Sequence, residues 1–506
     1  MKNKIFAPIF SDNMVLCRNK PVRFYGKTIA GTEISIDFNC FCLNTKSDDN
    51  GDWELIFPPM EAACGLTLTA RIPGECETFN NIAIGEVWLA GGQSNMEFEL
   101  ARCTGWARIQ NDRNPNVRFF YTPKFPYEND AYREAWDNAG WELSTSEGFR
   151  NWSAVGYYFA CELQRKLGCT VGIIGCNWGG TSASAWMSRE AIYEDADTRI
   201  YMDEFDAGIA GLSFEEQRGA YDEYAVEVAE WNKKCEALYA ENPAISWDKV
   251  NELLGPTKWP GPMNCCNEFR PTGQYHQMLK RISPYTLRGF IYYQGEQDEL
   301  RSGMYAALLG NLIRLWRKDW HDDSLEFIIT QLPMHRYIGS PDLLNWPKIR
   351  EAQMDVFNTM PHTGITVIPD CGQYNDIHPM DKDVVGLRMA YQALCNVYGV
   401  MDETEAYGPM YDSKEIIEDK LILHFKHATL GMYLKNTPDN YELAGEDKIF
   451  HPAAVVVKGD TVTLTSPDVP KPIYARYCFH DYCTPSLFGM NSLPAAPFRT
   501  DTDDEA

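Results

Sequence analysis

Ser94 stands in Gly91-Gly92-Gln93-Ser94-Asn95-Met96, directly after the nearly continuous apolar run from Ile84 to Ala90. A buried strand that stops at a glycine pair sets the serine hydroxyl at the C-terminal strand edge, where α/β sheets collect ligands. The glycines let the chain bend sharply and a substrate come close. Such a hydroxyl is a nucleophile or, equally on local sequence, the N-cap of a helix through Met96-Glu-Phe-Glu-Leu100. One residue can do both, because a backbone amide at a helix N-terminus faces a developing anion. A nucleophilic serine needs a base, and the chain has nine histidines. Among them, His424, His427, His451 and His480 fall in β-rich sequence, and His321, His335 and His362 in loops or polar turns. His378 differs, lying in Asn375-Asp376-Ile377-His378-Pro379 between a strand ending at Asp370 and a helix from Lys382 to Tyr398. Asp376 can reach the ring across a turn and fix its tautomer; an Asx-turn in an ordinary loop has the same local sequence.

Two further segments follow apolar strands: Asn177-Trp178-Gly179-Gly180-Thr181-Ser182 and Gln294-Gly295-Glu296-Gln297-Asp298. Glycines at a strand end expose free N–H groups, and a side-chain amide adds a donor, as an oxyanion hole requires. Plain turns use the same glycines. No GxxxxGK[ST] phosphate loop is present.

The elements that must position these residues read as an α/β domain over 85–403 with a parallel sheet. Apolar strands at 84–90, 171–175, 289–293, 325–330 and 363–368 alternate with helices at 154–167, 304–320 and 382–398. Residues 1–84 show short period-2 strands at β-sandwich spacing, an accessory domain without chemistry of its own. Residues 190–262 break the rhythm as an acidic helical insertion, and 404–506 return to β character before an acidic tail, 501–506, expected to be disordered.

The 506 residues carry 46 Lys+Arg against 71 Asp+Glu, a net charge of −25. That field opposes nucleic acid and anionic membrane surfaces, and no apolar run approaches the roughly 18 residues of a membrane span. The basic start, Met1 to Lys4, is followed by an apolar stretch broken at Pro8, so it reads as the start of a folded domain and not as a signal peptide. The sixteen cysteines are scattered and read as reduced thiols of a cytoplasmic protein. Cys40/Cys42, Cys265/Cys266 and Cys478-Phe-His480-Asp-Tyr-Cys483 do not repeat the spacing of a zinc site, so no metal is expected.

In order and wording, Gly92-Gln93-Ser94-Asn95-Met96, Gly179-Gly180-Thr181, Gln294-Gly295-Glu296 and Asp376-Ile377-His378-Pro379 resemble the blocks of the SGNH (GDSL-like) hydrolase superfamily, specifically the sialate O-acetylesterase family. Ile9 to Leu16, Gly85 to Leu89, Arg350 to Gln353 and Pro497 to Thr500 are similar to that family too. The resemblance implies an SGNH three-layer sandwich flanked by β-sandwich-like segments, with Ser94 as nucleophile, His378 as base and Asp376 as its orienting acid. It implies an oxyanion hole from the Ser94 and Gly180 amides and the Gln294 side chain. The superfamily's acid lies three residues before the histidine, where this chain has Asn375, so Glu296 is the alternative acid. The implied activity is hydrolysis of sugar acetyl esters, on O-acetylated sialic acid or on acetylated xylan or xyloglucan oligosaccharides, with no cofactor. Trp178, Trp186, Tyr292 and Tyr293 are either sugar platforms or core. A non-catalytic carbohydrate binder would have a damaged triad, and a lipase or thioesterase on the same fold would have an apolar acyl channel. Oligomeric state is left open by the sequence.

Overall fold

The computed structural model describes residues 5–501 apart from 112, 243, 244, 246 and 257. Its central sheet contains β1 (Glu75–Gly92), β2 (Val117–Tyr121), β3 (Trp141–Leu143), β4 (Val171–Asn177), β5 (Gly289–Tyr293), β6 (Glu326–Thr330) and β7 (Thr363–Thr366). The strand order is β7-β6-β5-β1-β4-β2-β3. All neighbours along it run parallel except β3, which pairs antiparallel with β2. The sheet is therefore mixed and not wholly parallel. The exception is a three-residue edge strand, too short for hydrophobic periodicity to reveal.

The helices of the region include α1 (Ser94–Glu97), α2 (Ala154–Leu167), α3 (Ile200–Ile209), α4 (Phe214–Glu241), α5 (Tyr305–Trp320), α6 (Asn345–Thr359) and α7 (Asp383–Asn396). Register pairs Gly289 with Trp88 and Phe290 with Leu89, so Trp88 and Phe290 point to opposite faces. Trp88 meets Phe159 of α2 edge-on at 5.2 Å, and Phe290 meets Trp316 of α5 at 5.3 Å. With helices over both faces, every residue of β4, β5, β6 and β7 is buried. That explains their continuous apolar runs. Ser153 caps α2 by accepting from the Gly156 N–H at 3.0 Å, and α4 opens with a capping box between Ser213 and Glu216, as helix N-termini favour.

The N-terminal β region shares β1 with this sheet. Residues Leu68 and Phe79 mark antiparallel pairing of the first half of β1 with Ala63–Ile72, while its second half lies between β4 and β5. The two regions also share a core: Phe10 packs 5.2 Å from Tyr285, and the Trp141 indole donates to the Ile9 carbonyl. The C-terminal region has two four-stranded sheets around Leu421, Leu423, Leu443, Val462 and Tyr477, joined by Met334. Asp501 is buried and paired with Arg476, so the disordered tail expected from 501 does not include that residue; 502–506 lie outside the described residues. No helix among the described residues is long and apolar enough to cross a membrane.

Candidate active site

The turn that presents Ser94 is set by the backbone. Gly92, the last residue of β1, has φ 127°, and a Cβ there would lie 2.1 Å from the Tyr293 carbonyl oxygen. Only glycine allows this conformation beside β5. Gln93 donates its N–H to Tyr293 at 3.0 Å, and its carbonyl accepts from the N–H groups of Met96 and Glu97. Gln93 is thus the N-cap of α1 and Ser94 its first helical residue. The cap reading of Ser94 is displaced by one residue, and its hydroxyl is left for other work: Oγ lies 2.8 Å from His378 Nε2, 284 residues away in the chain.

His378 sits on the loop between β7 and α7. Asp376 Oδ1 accepts the backbone N–H of His378 at 2.9 Å, an Asx-turn. The acid expected to grip the imidazole therefore holds its main chain instead. Asn375, at the superfamily's acid position, adopts φ 61° and accepts from the Ile338 N–H. Glu296, the alternative acid, accepts from Asn95 Nδ2 at 2.6 Å. Among the described residues no carboxylate pairs with the His378 ring. Burial lowers the His378 pKa from its ordinary value, the Lys382 ammonium and more weakly Arg102 add to the effect, and Asp376 opposes it. The ring is held neutral, as a proton acceptor must be.

Asn95 and Lys382 also stand at this edge, and the sequence reading did not single them out. Asn95 Nδ2 donates to Glu296 and, at 2.9 Å, to the Ile377 carbonyl, while Oδ1 accepts from Lys382 Nζ at 2.5 Å. One amide thereby ties α1 to the His378 loop on both sides of the Ser94–His378 contact. Lys382 is 2% exposed and packs over the Phe98 and Tyr293 rings at 4.9 and 5.7 Å. Its amine is pushed down to about 8, mainly by burial, with Glu296 pulling it back. Burial raises the Glu296 carboxyl, and Asn95 and Lys382 counter that shift.

Gly179 and Gly180 close the other side. Glu97 Oε2 accepts the Gly179 N–H at 2.5 Å, and a Cβ on Gly179 would lie 3.2 Å from Ser94 Cβ. Gln294 does not serve as an oxyanion donor: its Nε2 hydrogens go to the Thr181 carbonyl at 3.2 Å and Asp298 Oδ2 at 2.6 Å, and Tyr305 donates to its Oε1. Asp298 also accepts from Ser182, Ala183 and Tyr201, so this pair is a buried brace joining the sheet edge to α3. Trp186, Tyr292 and Tyr293 are 0–1% exposed, hence core and not sugar platforms; Trp178 is half-buried. Among the described residues no group of three or more His, Cys, Asp or Glu is placed to hold a metal ion.

A serine hydroxyl and an imidazole thus meet at the C-terminal edge of the sheet, and the chain is similar to known esterases. Over residues 84–241 and 262–392 the chain matches the family model described as carbohydrate esterase, sialic acid-specific acetylesterase. It is 24% identical to the sialate O-acetylesterase of Rattus norvegicus over 409 residues, 74% of this chain and 68% of that one. Identity to the sialate O-acetylesterase of Homo sapiens is 24% over 403 residues, 74% and 66% of the two chains. A crystal structure of a carbohydrate acetylesterase from Xanthomonas citri superimposes with a TM-score of 0.78 at 26% identity, covering 98% of this chain and 99% of that one. The chain belongs to the sialic acid-specific acetylesterase family of carbohydrate esterases and is a carboxylic ester hydrolase.

Proposed function

We propose that this carbohydrate O-acetylesterase works through an acetyl-Ser94 intermediate with His378 as general base. The observation that carries the reading is the 2.8 Å contact between Ser94 Oγ and His378 Nε2, with the imidazole pKa lowered by burial. Ser94 Oγ attacks the acetyl carbonyl carbon while Nε2 takes its proton. The tetrahedral oxyanion is met by the Ser94 and Gly180 amides; the Gly180 N–H has no intramolecular acceptor among the described residues. Collapse breaks the bond to the sugar oxygen, which takes the proton from His378. Water, deprotonated by the same nitrogen, then attacks the acetyl-enzyme, releasing acetate and restoring Ser94. Asp376 acts by fixing the main chain at His378 and by the field of its carboxylate.

The substrate in this reading is a sugar bearing an O-acetyl ester; O-acetylated sialic acid is one candidate, after the names of the relatives, and acetylated xylan or xyloglucan oligosaccharides are another. We also read 85–403 as an SGNH three-layer hydrolase domain, with 1–84 and 404–506 as accessory β-sandwich-like modules. Helices over both sheet faces and the separate C-terminal core support the division at 404, whereas β1 and a common core join 1–84 to the hydrolase sheet. The test is acetate release by Ser94→Ala from 4-nitrophenyl acetate and from acetylated sugars. Loss on the order of 10⁴–10⁶ in kcat is expected from removal of a nucleophile; undiminished release overturns the mechanism.

A further inference from the structure

Beside the serine edge, a cavity of about 430 Å³ opens between the insertion and the loop that follows β5. Gly180, whose amide is an oxyanion donor in the mechanism proposed above, is part of its lining. A Cβ on Gly180, whose φ is 74°, would lie 2.9 Å from the Phe269 ring and 3.3 Å from Trp259, so glycine keeps the passage to the aromatic wall open. An acetyl group is far smaller than this space, whose volume lies in the range of small-molecule sites. Of an acetyl ester, only the alcohol side is large enough to fill it.

The wall is built for a ring with apolar faces and no charge. Tyr201 and Phe205 come from α3, and Met263 and Phe269 from the segment after α4. Three charged side chains reach the lining, and each already has a partner. Asp298 is used by its four internal donors. Arg301 pairs with Glu204 at 2.5 Å and lies over the Tyr201 ring at 4.6 Å. The lining thus carries two carboxylates against one neutralised guanidinium, on a chain of net charge −25. A sugar carboxylate would meet a repulsive field with no unpaired cation among the described lining residues; Arg102, which acts on His378, is not part of the lining.

We infer that the insertion forms a subsite for an uncharged sugar ring, so that the acetyl esters of neutral oligosaccharides are turned over in preference to those of carboxylate-bearing sugars. The inference rests on the Ser94 mechanism proposed above and adds the substrate class. Gly208 lines the cavity from α3, and a Cβ there meets nothing within 4 Å, so Gly208→Trp adds an indole at the wall without a backbone clash. Gly219 in α4 is equally open but outside the cavity, and Gly219→Trp is the control for fold.

The experiment compares kcat/KM on an acetylated xylo-oligosaccharide, on 9-O-acetylated sialic acid and on 4-nitrophenyl acetate, in the full chain. Wild type is expected to favour the neutral oligosaccharide over the sialic acid at least tenfold. Gly208→Trp is expected to lower the ratio of oligosaccharide to 4-nitrophenyl acetate turnover at least tenfold, with Gly219→Trp unchanged. Leu300→Arg, at an 80% exposed rim position, is expected to raise relative turnover of the sialic acid severalfold. A wild-type preference for the sialic acid, or an unaltered ratio in Gly208→Trp beside an inactive Ser94→Ala, overturns the subsite alone. An active Ser94→Ala removes the mechanism on which the subsite rests.

Discussion

Two histidines of this chain lie beside aspartates, and their opposite fates separate a base from a clamp. The His378 ring touches no carboxylate among the described residues, and its pKa is lowered by burial with help from Lys382. His480 Nδ1 lies 2.9 Å from Asp342 and Nε2 lies 3.4 Å from Glu442. Those carboxylates push its pKa up to about 10, while His480 and the Asp481 N–H hold Asp342 down to about 2. His480 is an imidazolium with both nitrogens engaged, and it binds the loop before α6 to the C-terminal sheets. His378 keeps Nε2 free to exchange a proton with Ser94. A nearby aspartate does not make a histidine catalytic; what counts is which atoms it contacts and whether burial or charge prevails.

The largest effect should break the comparison directly. His378→Ala is expected to lower kcat on 4-nitrophenyl acetate on the order of 10⁴–10⁶, whereas His480→Gln is expected to stay within about threefold, since a residue remote from the chemistry acts through stability. Comparable losses would make the two sites functionally equivalent.

Asp376→Asn sharpens the distinction. An asparagine oxygen still accepts the His378 N–H, so a loss of about tenfold or less in kcat is expected, against about 10⁴ where the acid grips the ring. Removing the carboxylate also removes a field that raises the His378 pKa, so the acid limb of kcat/KM should move to lower pH.

The acid limb in wild type is the next measure. The base works neutral, so rate is lost as pH falls through its pKa. Because that pKa is lowered, the limb should lie below the ordinary histidine value of about 6.5. Lys382→Met removes a cation that depresses it, and the limb should then move up in pH. A limb at or above 6.5 in wild type contradicts the neutral, buried base.

The smallest effect concerns the clamp. The stabilisation from His480 is fully present below pH 6.5, where the unfolded side chain is also protonated, and is lost as pH rises toward about 10. That from Asp342 is present above the unfolded carboxylate value and is lost as pH falls toward about 2. His480→Gln should cost about 1–2 kcal/mol at pH 6, a charged hydrogen bond discounted for partial exposure. Thermal melts of variant and wild type should converge by pH 10; a constant difference would mean that the histidine's charge is not involved.

The sequence by itself determined five of the seven sheet strands and set Ser94 and His378 apart as candidates. Apolar runs such as Ile84 to Ala90 are buried on both faces, a local signature, and Ser94 and His378 stand in short distinctive segments at strand ends. It did not reveal β2, whose apolar run is interrupted by Arg118, or β3, whose three residues carry no period, nor that β1 belongs to two regions at once, because pairing is a choice of partner and not a property of a run. Nor could it assign the polar groups around Ser94. Asn95 meets Glu296 and Lys382 across 201 and 287 residues, Gln294 spends its amide on Asp298 and Thr181, and Asp376 holds a backbone N–H. Each of these side chains has enough donors or acceptors for several roles, and only the tertiary structure decided which partner stood within hydrogen-bond reach.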